Sequence, residues 1–185
     1  MKGLGENYKN AEASGGDFEK LPPGGYVCTI KKVINNEPKS YLQIVFDIRE
    51  GEYADFYNND WGKDNEWAHT CYHSYSEKAY GIFKGFLKAV DESNNTDFTE
   101  QAVGNWDEQR LIGKAIGYIM GMEEYVSNRD GEIHEVLKVR RTVPINVIRE
   151  GKYKMPELKK LTPKADTEPI IPSKPENANL DDLPF

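Results

Sequence analysis

Residues 40–48, SYLQIVFDI, constrain the fold more than any other stretch. In an extended chain Leu42, Ile44, Phe46 and Ile48 fall on one face, and Tyr41, Gln43, Val45, Asp47 and Arg49 on the other. Side chains alternate across a strand, so this is a strand with one buried face and one face toward solvent. Such a strand cannot stand alone. It needs partner strands and a layer to cover its apolar side.

The partners are legible on either side. After the turn signal PPGG, residues 26–34 are rich in β-branched residues and predict a strand, followed by the turn NNEPKS. After EGEY, residues 53–58 predict a third strand, and a polar loop with Trp61 and Trp67 follows. The period then changes. Ala79, Ile82, Phe83, Phe86, Leu87 and Val90 recur at helical spacing within residues 77–90, and Gly81 and Gly85 imply close packing there. Residues 110–126 are strand-like with glycines at 113, 117 and 121, which mark bends. SNRDGE is a hairpin turn, and residues 132–149 predict the last strand.

Three strands, one helix and a two-strand hairpin predict a mainly β chain of one domain. The order matches an OB-fold, a five-stranded Greek-key barrel with its helix between strands 3 and 4. Another small α+β sheet is the alternative. The body spans residues 17–150. Residues 1–16 predict a disordered N-terminal arm. Residues 151–185 carry six prolines and predict a flexible linker, with a short turn of helix at PELKK as an option.

Composition excludes several classes. No window approaches the roughly 18 apolar residues of a membrane span, and no apolar leader follows Met1. Two cysteines, Cys28 and Cys71, do not form a disulfide framework, which points to a reducing cytoplasm. The net charge of −7 is uneven: residues 50–109 carry −9, while residues 26–49 and 110–149 each carry +2. Phosphate-loop, dinucleotide and nucleophile-elbow motifs are absent, so no enzyme and no cofactor are expected. His69, Cys71 and His73 would share one face of a strand and are zinc-type ligands. Structural zinc takes four, and only Cys28 or His134 could add to them, so ordinary strand residues are expected and no metal.

The chain ends Asn179-Leu180-Asp181-Asp182-Leu183-Pro184-Phe185. An OB-like body, a proline-rich linker and this tip together resemble bacterial single-stranded DNA-binding proteins, whose acidic tails end in aspartates, an aliphatic residue, Pro and Phe. This tip has two aspartates rather than three, and Leu183 where Ile is usual. The strings FKGFLKAVDESN, NWDEQRLIGKAIGYIMGMEEY and YKMPELKKL resemble the forms carried by phages and integrative elements of Gram-positive bacteria. The resemblance implies a cytoplasmic protein of a bacterial host cell. It would coat single-stranded DNA in replication or recombination and recruit host or phage proteins through Asp181, Asp182, Leu183, Pro184 and Phe185. Phe185 can fill a pocket while its carboxylate accepts an Arg pair.

Single-strand binding needs aromatic faces for bases and cations for phosphates. The aromatic candidates are Tyr41, Tyr57, Trp61, Trp67 and Tyr118, with Tyr53 beside them. The polar and basic candidates are Gln43, Lys31, Lys32, Lys39, Arg49, Arg110, Lys114, Lys138, Arg140 and Arg141. A homo-oligomer is left open. The alternatives are an acidic adaptor or inhibitor of a DNA-processing protein, resting on the −9 segment, and a metal-dependent nuclease.

Overall fold

The computed structural model describes residues 20–104 and 106–161. Five antiparallel strands form one open sheet: β1 (Gly24–Asn36), β2 (Tyr41–Ile48), β3 (Thr70–Ser74), β4 (Ala115–Val126) and β5 (Ile133–Val143), in the order β3-β2-β1-β4-β5. The helices are α1 (Asp60–Asp64), α2 (Tyr80–Asn94), α3 (Phe98–Gln101) and α4 (Ile145–Arg149), so α2 is not the lone helix that the periodicity predicted. Among the described residues, no helix is long and apolar enough to cross a membrane.

β1 is the corner of the sheet. Its first half, Gly24 to Thr29, pairs with β4, and Cys28 to Asn36 pair with β2. A register shift between Ile30 and Lys32 marks a bulge, which bends a strand and raises its twist. The curled inner face carries Cys28, Ile30, Leu42, Ile44, Phe46, Ile48, Ile116 and Tyr118, all buried. Phe46 on β2 and Tyr118 on β4 meet with ring centroids 4.8 Å apart. Burial of one such side chain is worth roughly 1.5–3 kcal/mol.

α2 closes this core. Phe83, Phe86, Leu87 and Val90 follow the 3, 4, 7 spacing and are buried, and the helix packs on β3, β4 and β5. It stops at Asn95, whose φ of 54° is the left-handed conformation of a C-cap. Gly81 and Gly85 do not serve close packing. A Cβ on either would meet nothing within 4 Å.

The third strand lies elsewhere than the pattern predicted. Residues 53–58 form turns, and β3 is Thr70–Ser74. The reason is local. Asp55 has φ 58°, outside any strand, and the buried Asp47 carboxylate accepts the Tyr57 and Ile48 amides at 3.1 and 2.8 Å. This folds the loop back over one end of the core. Tyr57 stacks on His69 with centroids 4.4 Å apart, and Gly62 is forced by contact, because a Cβ there would sit 2.1 Å from the Tyr57 carbonyl oxygen.

The last strand also ends sooner than predicted, at Val143, where Pro144 starts α4. The body runs past residue 150. Tyr153 Oη accepts the Gly25 amide at 3.0 Å, and a Cβ on Gly121 would lie 2.5 Å from Pro156. The backbone of Lys159 bonds to Met122 and Glu124 at 3.1 and 3.0 Å along the edge of β4 that β1 leaves open. Residues 151–161 are therefore a strap on the sheet and not linker. The arm 1–16 and the tip 181–185 lie outside the described residues.

Candidate functional site

The outward face of β1, β2 and β3 is a small platform of three cross-strand rows. Register places Lys32, Val45 and Thr70 in the first, Ile34, Gln43 and Tyr72 in the second, and Asn36, Tyr41 and Ser74 in the third. Residues opposite each other on neighbouring strands point to the same side. Tyr41 and Tyr72 meet edge to face, and Asn36 Nδ2 donates to Tyr41 Oη at 3.0 Å. Tyr72 is 48% exposed and Ile34 is 38% exposed.

Beyond the first row lie Trp61 and Trp67, both exposed and paired edge to face with centroids 6.4 Å apart. Asn59 caps α1 by accepting the Gly62 amide at 2.7 Å, which places Trp61 in the first turn. Trp67 Nε1 donates to Asn65 Oδ1 at 3.0 Å. The loop is fixed to the platform by Lys32 Nζ, 2.9 Å from Glu66 Oε2, and by the Thr70 hydroxyl, which donates to the Glu66 carbonyl at 2.6 Å. Lys31 and Lys39 are exposed at the rim.

The structure separates the other candidates. Tyr57 and Tyr118 are buried and offer no face to a ligand. Tyr118 Oη instead accepts from the Cys71 thiol at 3.3 Å. Tyr53 is half-buried against Tyr26 and Phe56. Arg49 is exposed at the opposite end of β2 from Tyr41. Lys114 is half-buried just before β4, and Arg110 lies over the Phe98 ring at 5.6 Å and donates to Gln101 at 2.7 Å. Lys138, Arg140 and Arg141 sit on β5, across a cleft from β3.

Tyr72 was missed in the sequence. The alternation that sets His69, Cys71 and His73 on one side puts Thr70, Tyr72 and Ser74 on the other, so the signal was present. The three ligand-type residues do not converge on a metal. The ring nitrogens of His69 face the Phe46 and Gly62 carbonyls, while Cys71 Sγ and His73 Nε2 are 3.5 Å apart in the core. Burial pushes the Cys71 thiol up to about 12, and pushes His73 down to about 4, so both are neutral near pH 7. Asp130, Glu132 and His134 cluster on the β4–β5 turn, where Asp130 accepts from the Glu132 amide and pairs with His134 at 3.0 Å, bonds that the turn itself explains.

Chemically the platform offers flat π faces, the amides Gln43 and Asn36, one cation in its first row, Lys32, which is paired with Glu66, and further cations at its rim. It contains no assembled nucleophile or acid–base pair. No family model matches the chain, and no curated protein matches it.

Proposed function

We propose that this chain is a non-catalytic single-stranded DNA-binding protein whose bases stack on Tyr72, Trp67 and Trp61. The observation that carries the reading is a set of exposed aromatic rings, Tyr72 on the outward sheet face and the Trp61–Trp67 pair in the loop that Lys32 and Thr70 tie to that face through Glu66. Base–aromatic stacking is worth about 1–3 kcal/mol per base and tolerates any sequence. With it we propose that the sheet is an OB barrel opened between β3 and β5, a reading supported by the strand order β3-β2-β1-β4-β5 with α2 between β3 and β4. OB-folds present their second and third strands to ligands. The rim lysines would take phosphates, and the tip Asp181–Phe185, outside the described residues, would recruit replication or recombination proteins.

The test is a titration of labelled oligo-dT followed by anisotropy at several salt concentrations, with matched duplex as competitor. Binding that prefers the single strand and weakens with salt supports the reading. No binding at low salt overturns it.

A further inference from the structure

The two outermost strands each keep an unpaired edge, and a cleft of about 580 Å³ lies between them. One wall is β3, including Tyr72. The other is β5, with Lys138, Arg140 and Arg141, and the floor is α2 at Gly85 and Phe86. Tyr72 thus belongs to both the platform and the cleft. Three features suit this cleft to a chain of phosphates. First, it carries three cations, and Glu123 is the carboxylate among its lining residues; Glu123 is engaged at 2.5 Å by Lys159. Secondly, Arg140 stands in a β-bulge, where the register passes from Ile119–Arg141 to Met120–Val139. A bulge re-aims a side chain. The fold gives this guanidinium a carboxylate only at 3.9 Å, and its Nη1 is, among the described residues, the buried side-chain polar atom with no hydrogen-bond partner. Thirdly, Gly85 keeps the floor open, since a Cβ there would meet nothing within 4 Å.

We infer that a nucleic-acid strand lying on the platform continues past the β3 edge into this cleft, where Arg140 and Arg141 hold its backbone phosphates. The inference rests on the single-strand reading above and adds a second, electrostatic half to that site. The unclosed edge between β3 and β5 is then a passage for the ligand. A phosphodiester fits better than an acidic peptide because the platform reaches the cleft at Tyr72, which faces the basic wall across it.

The test fills the cleft without harming the helix. Gly85→Leu places a better helix former where space is open. Gly81→Leu makes the same change one turn earlier, outside the lining residues, and is the control. Arg140→Gln and Arg141→Gln remove the charges, and Arg141 is exposed, so one of the pair leaves the bulge intact. Expected is about tenfold weaker oligo-dT binding for Gly85→Leu with Gly81→Leu unchanged. Each Arg variant should lower the salt slope by about 0.7. If wild type binds oligo-dT and Tyr72→Ala weakens it while the cleft variants do not, the cleft is no part of the site and the platform reading survives. If wild type does not bind, both fall. If Gly85→Leu abolishes capture of a labelled acidic peptide and spares oligo-dT, the cleft is a peptide site and the inference is overturned.

Discussion

The Tyr41 and Tyr72 rings meet across the β2–β3 ladder with centroids 5.4 Å apart and planes at 81°. Edge-to-face contact of this kind holds one ring by the other. Tyr41 is further fixed by its bond from Asn36. Tyr72 is therefore presented as an oriented face. Tyr72→Ala should weaken oligo-dT binding by about 1–3 kcal/mol, while Tyr72→Phe keeps most of the affinity. Tyr41→Ala should cost less, because it loosens the platform without removing its most exposed tyrosine. Anisotropy titrations of the three variants check this, and wild-type affinity in Tyr72→Ala would remove the stacking role.

The tryptophans supply their own probe. Trp61 and Trp67 are 42% and 45% exposed, whereas Trp106 is half-buried against Phe83 and Phe98. Stacking of bases should quench emission from the exposed pair. Oligo-dT should quench a Trp106→Phe variant as strongly as wild type. The quench should largely vanish in a Trp61→Phe, Trp67→Phe double variant. Quenching that survives in the double variant would place the nucleic acid away from this loop.

What the sequence disclosed follows from which faces are covered. β2 was readable in its first half, where Tyr41 and Gln43 keep some exposure opposite buried Leu42 and Ile44, so alternation reports orientation there. The stripe of α2 was readable for the same reason. Val45 and Asp47 on β2, expected toward solvent, are buried, Asp47 beneath the loop whose Tyr57 amide it accepts. β4 was different. Residues Ala115 to Gly121 are buried on both faces, since α4 and the strap cover the outside, with Ile148 over Gly117 and Pro156 over Gly121. Parity then cannot tell inward from outward, and Tyr118 was assigned to the wrong environment. β3 is five residues long, and its inward His and Cys imitate a ligand set, which hid the outward Tyr72. The strap touches the sheet through isolated residues, Tyr153 and Pro156 on glycines and the Lys159 backbone on the edge of β4, so it left no periodic trace.

That strap makes a prediction about where the body ends. Truncation after Leu161 should leave stability unchanged. Truncation after Glu150 removes Tyr153 from Gly25, Pro156 from Gly121 and the Lys159 backbone from β4, and should cost about 2–4 kcal/mol. Urea midpoints separate the two. Gly25→Ala supplies a cross-check, since its Cβ would lie 2.5 Å from the Tyr153 ring. It should destabilise the full chain and have less effect once Tyr153 is gone. Equal midpoints for both truncations would show that residues 151–161 add nothing.

His73 sets a pH dependence. Its ring is buried and stacks on Phe86 with centroids 3.9 Å apart and planes at 14°. Burial pushes its pKa down to about 4, from an ordinary value of 6.5. Cys71, the titratable group 3.5 Å away, stays protonated across that range. Between the two values the unfolded chain binds a proton that the folded chain refuses. Stability therefore falls as pH drops from about 6.5 toward about 4, and this contribution levels off below the folded value. The loss should be on the order of 3 kcal/mol. His73→Leu keeps an apolar side chain against Phe86 and cannot titrate, so its stability should be flatter over the same range even if it is lower at pH 7. Denaturant unfolding at stepped pH values measures both. Parallel curves for wild type and His73→Leu would assign the acid sensitivity to another group.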